Sequence, residues 1–224
     1  GAGICALGSA VTVSGGYITN NKNQYDYEVK EGTNSAHKGN GCHGGGGIAA
    51  MTAASAAALV EMVANLTIGK KGYEDVEPQM KDIRQQARTL RAHYLKGIEE
   101  DALAFDGVIR AVRLPKDTPD RTAIVQQAFK DAATIPFTLG KDIFMLLQLA
   151  AQTVQYGNAW VITDGAIAAM NARSAMRSAF YSVRINLKSI KDQAFVDTMM
   201  QSILDIEEQA RHVEEQVETL YASR

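Results

Sequence analysis

One stretch of this chain constrains its fold more than any other. Between residues 74 and 112, Met80, Ile83, Ala87, Leu90, Tyr94, Gly97, Asp101, Ala104, Val108 and Ala111 follow one another at intervals that alternate between three and four. That spacing places every member on one stripe of an α-helix and fits no strand, whose faces repeat every two residues. A helix this long needs neighbours along its whole apolar stripe. A second stripe, Val196, Met199, Ile203, Ile206, Ala210, Val213, Val217 and Leu220, predicts another long helix over about 192–221. It is expected to pack antiparallel in the fold or against a second subunit, with Glu207, Glu208, Arg211, Glu214, Glu215 and Glu218 on a solvated face.

The remaining segments fit the same plan. An alanine-rich helix is expected over 46–66, and its small residues allow neighbours to come close, so it belongs in the middle of a bundle. Thr118 with Pro119 in the first turn starts a third helix, which Pro136 bends or breaks. A fourth runs over 139–156 to the stop at Tyr156-Gly157-Asn158, and a fifth over 163–181. Residues 183–187 are rich in β-branched side chains and fit either state. The expected fold class is all-α, a bundle of about six helices with a glycine-rich N-terminal arm. Twelve of the nineteen glycines and none of the four prolines lie in residues 1–47. The expected division is an arm over 1–43 and a helical domain over 44–224, with Val11, Val13, Tyr17 and Ile18 forming a strand or hairpin around Ser14-Gly15-Gly16.

Composition removes several classes of function. Among 224 residues, 23 basic side chains stand against 25 acidic ones, a net charge of -2. No basic field for nucleic acid is expected, nor a polybasic surface for a membrane. The long apolar runs 46–67 and 143–163 carry Glu61 and Asn65 in one and four amides in the other, which argues against a bilayer core. Two cysteines, Cys5 and Cys42, build no disulfide scaffold, so a reducing, cytoplasmic location is expected. Only Cys42 and His43 are adjacent potential ligands, and no metal site is expected. No signal-peptide pattern opens the sequence.

The candidate site residues begin with Asp101, a carboxylate on an apolar stripe. Such a group costs several kcal/mol unless it is paired or its proton affinity rises. It reads equally as half of a buried ion pair and as a general base or counter-ion for a cationic substrate. Gly44, Gly45, Gly46 and Gly47 lead into a helix, where bare amides favour anions, although four glycines also make a flexible joint. Lys70 and Lys71 follow a helix end near Asn65; they complement its dipole or hold a carboxylate ligand. Asp164 stands at the mouth of the apolar segment Trp160-Val161-Ile162 and either caps the next helix or works in the site. Asn158 follows Gly157 at a helix stop, and Asn186 is a polar group in an apolar setting that requires a hydrogen-bonding role, structural or otherwise.

In sequence order these pieces resemble a known family. Gly44 to Gly47, Met62 to Lys71 with Tyr73, Glu100-Asp101-Ala102 with Ala104-Phe105, Arg113 to Lys116, Gly157-Asn158, Asp164-Gly165, and Ile185-Asn186-Leu187 with Lys191-Asp192 are similar to the formiminotetrahydrofolate cyclodeaminase and methenyltetrahydrofolate cyclohydrolase family. The resemblance implies an all-helical homodimer that acts on tetrahydrofolate one-carbon units, with the folate as substrate and no separate cofactor. Gly47 stands where many cyclodeaminases carry serine, which places the chain nearer the cyclohydrolase branch. His43 replaces the family's usual proline, and residues 1–43 replace its usual short first helix.

The expected activity is therefore hydrolysis of 5,10-methenyltetrahydrofolate to 10-formyltetrahydrofolate. The alternatives are cyclodeaminase chemistry, which releases ammonia from 5-formiminotetrahydrofolate, and a non-catalytic folate-binding or helical assembly protein. The resemblance implies Asp101 and Asp164 as catalytic carboxylates. It implies Asn158 and Asn186 as partners of the pterin or of Asp164, Asn65, Lys70 and Lys71 as substrate contacts with the lysines on the glutamate tail, and Gly44 to Gly47 as the place of close backbone approach.

Overall fold

The computed structural model describes residues 12–14, 17–19 and 44–223. The chain divides into two units, Gly1–Cys42 and His43–Arg224. In the first, β1 (Thr12–Ser14) pairs antiparallel with β2 (Tyr17–Thr19), with Val13 opposite Ile18. Cys5, His37, Cys42 and His43 lie outside the described residues.

The described part of the second unit holds five α-helices: α1 (Gly45–Asn65), α2 (Glu77–Val112), α3 (Arg121–Tyr156), α4 (Ile162–Leu187) and α5 (Gln193–Ala222). Single 3₁₀ turns at Glu74–Val76 and Ala159–Val161 lead into α2 and α4. The predicted stripe of α2 is realised: Met80, Ile83, Ala87, Tyr94, Gly97, Val108 and Ala111 are buried. On α5, Met199, Ile203, Ala210 and Val217 are buried.

α1 is the central element. It packs on α2, α4 and α3, and the buried set is nearly all alanine, glycine and valine. Its composition would satisfy the length and apolarity of a membrane span, yet 67% of its apolar window is buried within the protein. Its one buried charge, Glu61, accepts from Arg88 Nε at 2.9 Å and lies 2.9 Å from Arg91 Nη2, both on α2. A buried carboxylate is tolerated when paired in this way.

Five helices, rather than about six, result from Pro136. Proline removes one helical hydrogen bond and orphans the carbonyl four residues earlier, here that of Ala132. Asn186 Nδ2 donates to the Ala132 carbonyl at 2.8 Å, so a side chain from α4 replaces the missing amide and α3 runs through. One turn further along, Gly140 accepts the ring of Phe180. A Cβ at position 140 would overlap Cε1 and lie 2.8 Å from Cδ1. Residues 183–187 continue α4 to Leu187.

Helix starts also differ from expectation. α3 begins at Arg121 after Asp120, which takes left-handed φ of 56°, and no side chain caps it. Its start is instead tied to the end of α2 by Arg121, whose Nε and Nη2 donate to the Leu114 and Val112 carbonyls. Of the charged face on α5, Glu207 pairs with Arg184 at 2.8 Å and turns to α4, while Glu214 approaches Arg173 at 3.5 Å and stays open to water.

The contacts make neighbouring helices antiparallel. Gly47 meets Asp101 while Glu61 meets Arg88; Asn186 meets Ala132 while Gly165 approaches Thr153. The helical unit therefore has two ends. One gathers the start of α1, the later part of α2 and the end of α4. The other gathers the end of α1, the start of α2 and the turn between α3 and α4.

Candidate active site

The first end is built on the glycine run. Gly44 precedes α1 and Gly45, Gly46 and Gly47 form its first turn. Asp101 projects from α2 directly onto this turn, and Gly47 N–H donates to its Oδ2 at 3.0 Å. A Cβ on Gly46 would overlap Oδ1 and come within 2.7 Å of Oδ2. Glycine at 46 is thus a condition for the carboxylate's position. A helix N-terminus favours negative charge, so this corner suits an ionised carboxylate. Gly97, one turn before Asp101, lets α2 come against Ala50. Small residues on both helices bring the two backbones close enough for a side chain as short as aspartate to reach an amide.

Beside the corner, α4 contributes Ser178, Tyr181, Ser182 and Ile185. With Gly45 and Ile48 they line an open cleft of about 490 Å³. Ile185 and Tyr181 are 60% and 59% exposed, so this apolar wall stands open. A group inside it would meet hydrocarbon and an aromatic ring on one side and the glycine corner on the other. Asn186 lies next in sequence, but both hydrogen bonds of its Nδ2 go to backbone carbonyls, those of Ala132 and Ser182. It positions the end of α4 on α3.

The other candidates gather at the opposite end. Asn65 is the exposed last residue of α1; Lys70 is half-buried and Lys71 exposed in the loop that follows. Asn158 is 5% exposed and wholly engaged: Nδ2 donates to the Leu66 carbonyl at 3.1 Å and Oδ1 accepts from Trp160 N–H at 3.1 Å. Its own amide donates to Thr67 Oγ1 at 2.9 Å, and Ala159 N–H donates to Tyr73 Oη at 2.9 Å. Asp164 lies in the first turn of α4, where its charge suits the dipole; the side-chain cap at this joint is Asn158, not Asp164.

The structure thus brings Asp101 together with Gly44 to Gly47, and leaves Asn65, Lys70, Lys71, Asn158 and Asp164 at the far end of α1. With 21 residues, α1 spans about 30 Å. Sequence reasoning passed over Ser182 and, on another face of α4, the pair Arg173 and Arg177. The available signal was two arginines four apart in a helix whose other face is alanine. Among the described residues no cluster of three or more His, Cys, Asp or Glu side chains could hold a metal.

A carboxylate fixed at a glycine-rich helix start, beside an open apolar cleft, places the chain in the class of all-α antiparallel bundles with an acidic corner at one end. Comparison with known proteins places it more narrowly. The family model described as formiminotransferase-cyclodeaminase matches residues 28–205, and the chain belongs to that family. The match begins inside the glycine-rich N-terminal segment. The methenyltetrahydrofolate cyclohydrolase of Methylorubrum extorquens is 38% identical over 164 residues, covering 71% of this chain and 79% of that protein. The formimidoyltransferase-cyclodeaminase of Sus scrofa is 30% identical over 75% of this chain, which spans only 32% of that longer protein. The crystal structure of formiminotetrahydrofolate cyclodeaminase from Thermotoga maritima superposes with a TM-score of 0.76 at 30% identity, covering 81% of this chain and 88% of that one.

Proposed function

We propose that the protein is a methenyltetrahydrofolate cyclohydrolase acting in one-carbon metabolism. The observation that carries this reading is the Asp101 carboxylate, set on Gly46 and bonded to the Gly47 amide beside the apolar cleft. The 38% identity to a named cyclohydrolase supports it. The substrate is a cyclic amidinium whose positive charge is spread over N5, N10 and the carbon between them. A carboxylate with a fixed position and little freedom to reorganise stabilises that cation. It also accepts the proton of a water molecule that attacks the bridging carbon. The adduct is a neutral tetrahedral carbon bearing a hydroxyl. Collapse breaks the bond from carbon to N5, the hydroxyl becomes the formyl oxygen on N10, and N5 takes up a proton. One proton is released overall.

In this reading Asp101 is the catalytic base, Gly44 to Gly47 allow close approach, and tetrahydrofolate enters as substrate with no separate cofactor. The protein acts in the cytoplasm as a homodimer. A second reading, cyclodeaminase chemistry, is favoured by the likeness to the Thermotoga maritima enzyme. Both reactions share the tetrahedral carbon and differ in whether water or ammonia is exchanged at it. The test is spectrophotometric, with 5,10-methenyltetrahydrofolate and 5-formiminotetrahydrofolate offered separately to the full chain. Protein-dependent loss of the methenyl chromophore above spontaneous hydrolysis, without its appearance from the formimino compound, is the expected result. Appearance of the chromophore from 5-formiminotetrahydrofolate would establish the cyclodeaminase instead. Silence in both assays would leave a folate-binding or assembly protein without turnover.

A further inference from the structure

Further along α4 lies a cleft of different chemistry. Arg173, Ser174, Arg177, Ser178 and Tyr181 line it, Glu214 of α5 closes one side, and its volume is about 290 Å³. Arg173 is 13% exposed at its side chain, and its Nε and Nη1 are buried without a hydrogen-bond partner among the described residues. The nearest carboxylate, Glu214 Oε2, is 3.5 Å from Nε, too far for a sound bond. Among the described residues Arg177 reaches the Tyr181 hydroxyl alone, at 3.4 Å. Two guanidinium groups thus face one carboxylate, and neither can shed its charge by releasing a proton. Buried donors left unbonded cost free energy, and the group that best satisfies a guanidinium fork is a planar carboxylate bonded in two places.

This cleft, on the α5 flank of α4, and the one beside Asp101, on its α1 flank, share Ser178 and Tyr181, so they join as one groove that crosses the exposed face of α4. Ser182, next to Gly45 of α1, and Arg173, next to Glu214 of α5, are about 13 Å apart along the axis and on opposite flanks of α4, with Ser178 and Tyr181 between them. The groove has a glycine and carboxylate corner at one end, an apolar wall in the middle and unspent guanidinium donors at the other end. The proposed substrate has the same order: a cationic ring system, a flat aminobenzoyl spacer and the carboxylates of glutamate.

Resting on the proposed function, we infer that Arg173 and Arg177 bind the glutamate carboxylates of the folate, which lies along α4 with its one-carbon bridge at Asp101. This assigns the tail to arginines on the Asp101 side of the molecule and not to Lys70 and Lys71 at the far end of α1.

The test compares two substrates on the full chain, 5,10-methenyltetrahydrofolate and 5,10-methenyltetrahydropteroate, which lacks the glutamate. For the wild type, KM for the pteroate compound should exceed that for the folate by on the order of tenfold or more, the worth of hydrogen bonds to a charged group. Arg177→Gln should raise KM for the folate by a similar factor, with a smaller effect on kcat, and the penalty should vanish with the pteroate compound. Arg173→Gln should behave alike; should it fail to fold, the more exposed Arg177 carries the test. Equal losses on both substrates, or none on either, would overturn the inference while the cyclohydrolase reading stands. Turnover of neither compound by the wild type would overturn that reading, and this inference with it.

Discussion

The two ends of α1 use polar groups in opposite ways. At its C-terminal end, Thr67, Tyr73 and Asn158 form a closed set in which their donors and acceptors meet other parts of the same chain. That set fastens the loop after α1 to the turn between α3 and α4. At its N-terminal end, Asp101 accepts from the Gly47 amide against bare glycine, beside a cleft whose wall is exposed hydrocarbon. Nearby, Arg173 retains donors that meet nothing within the described residues. Polar groups satisfied inside the bundle build a fold; a carboxylate and guanidinium donors set beside open clefts stand where a ligand can reach them. The comparison shows why a polar residue in an apolar setting is not by itself a sign of a site.

The largest effect that separates the two ends is expected at Asp101. Asp101→Asn keeps the shape and leaves an oxygen to accept from Gly47 N–H, but it removes the charge and the base. Turnover of the methenyl compound should fall by about 10²–10⁴-fold, the usual worth of a positioned acid or base, with the thermal midpoint little changed. Wild-type turnover by a correctly folded Asp101→Asn protein would end the assignment.

Gly46→Ala tests the same corner through its shape. The added methyl overlaps the carboxylate, which stands at the free end of a side chain and can swing aside. Alanine also suits a helix better than glycine by about 1 kcal/mol. Stability should therefore change little, while a catalytic group displaced by about 1 Å loses up to 10²-fold in kcat. A loss of stability with full turnover would mean that the glycine serves only packing.

At the other end the expected pattern reverses. Asn158→Ala strands the Leu66 carbonyl and the Trp160 amide in a partly buried place. That costs about 2 kcal/mol, or about 4–8 °C in the melting midpoint of a domain this size. The folded protein should keep its KM. A raised KM with an unchanged melting curve would move Asn158 from scaffold to ligand contact.

Much of this arrangement could be read in the sequence, and what could not is tertiary in origin. The stripes of α2 and α5 are local patterns, and the structure repeats them residue by residue. Asp101 and the glycines were each visible, but their pairing joins positions 54 apart and has no local signature. Pro136 read as a break because the residue that compensates for it, Asn186, lies on another helix. Asn186 and Asp101 give the same signal in sequence, a polar residue among apolar ones, and only the place each takes in the fold separates a bracket from a site. Arg173 and Arg177 went unnoticed because arginine on a helix is ordinarily solvated; what distinguishes Arg173 is burial, which depends on where α5 packs.

The smallest effect is also the sharpest for the comparison. Replacing Lys70 and Lys71 together by alanine removes two positive charges from the loop beyond α1. If the folate lies along α4, about 30 Å of helix separates those charges from Asp101. Surface charges at that distance are screened at ordinary salt, since the Debye length is about 8 Å at 0.15 M. KM and kcat should then match the wild type. A raised KM that appears with the folate and not with the pteroate compound would show that these lysines do meet the glutamate. A folate with a single glutamate is too short to span α1 and reach Asp101 within one chain, so that result would require a second copy to lay its loop over the first copy's glycine corner. The division between a bracketed end and a working end would then hold for the monomer and fail for the dimer, where one subunit's scaffold becomes part of the other's site.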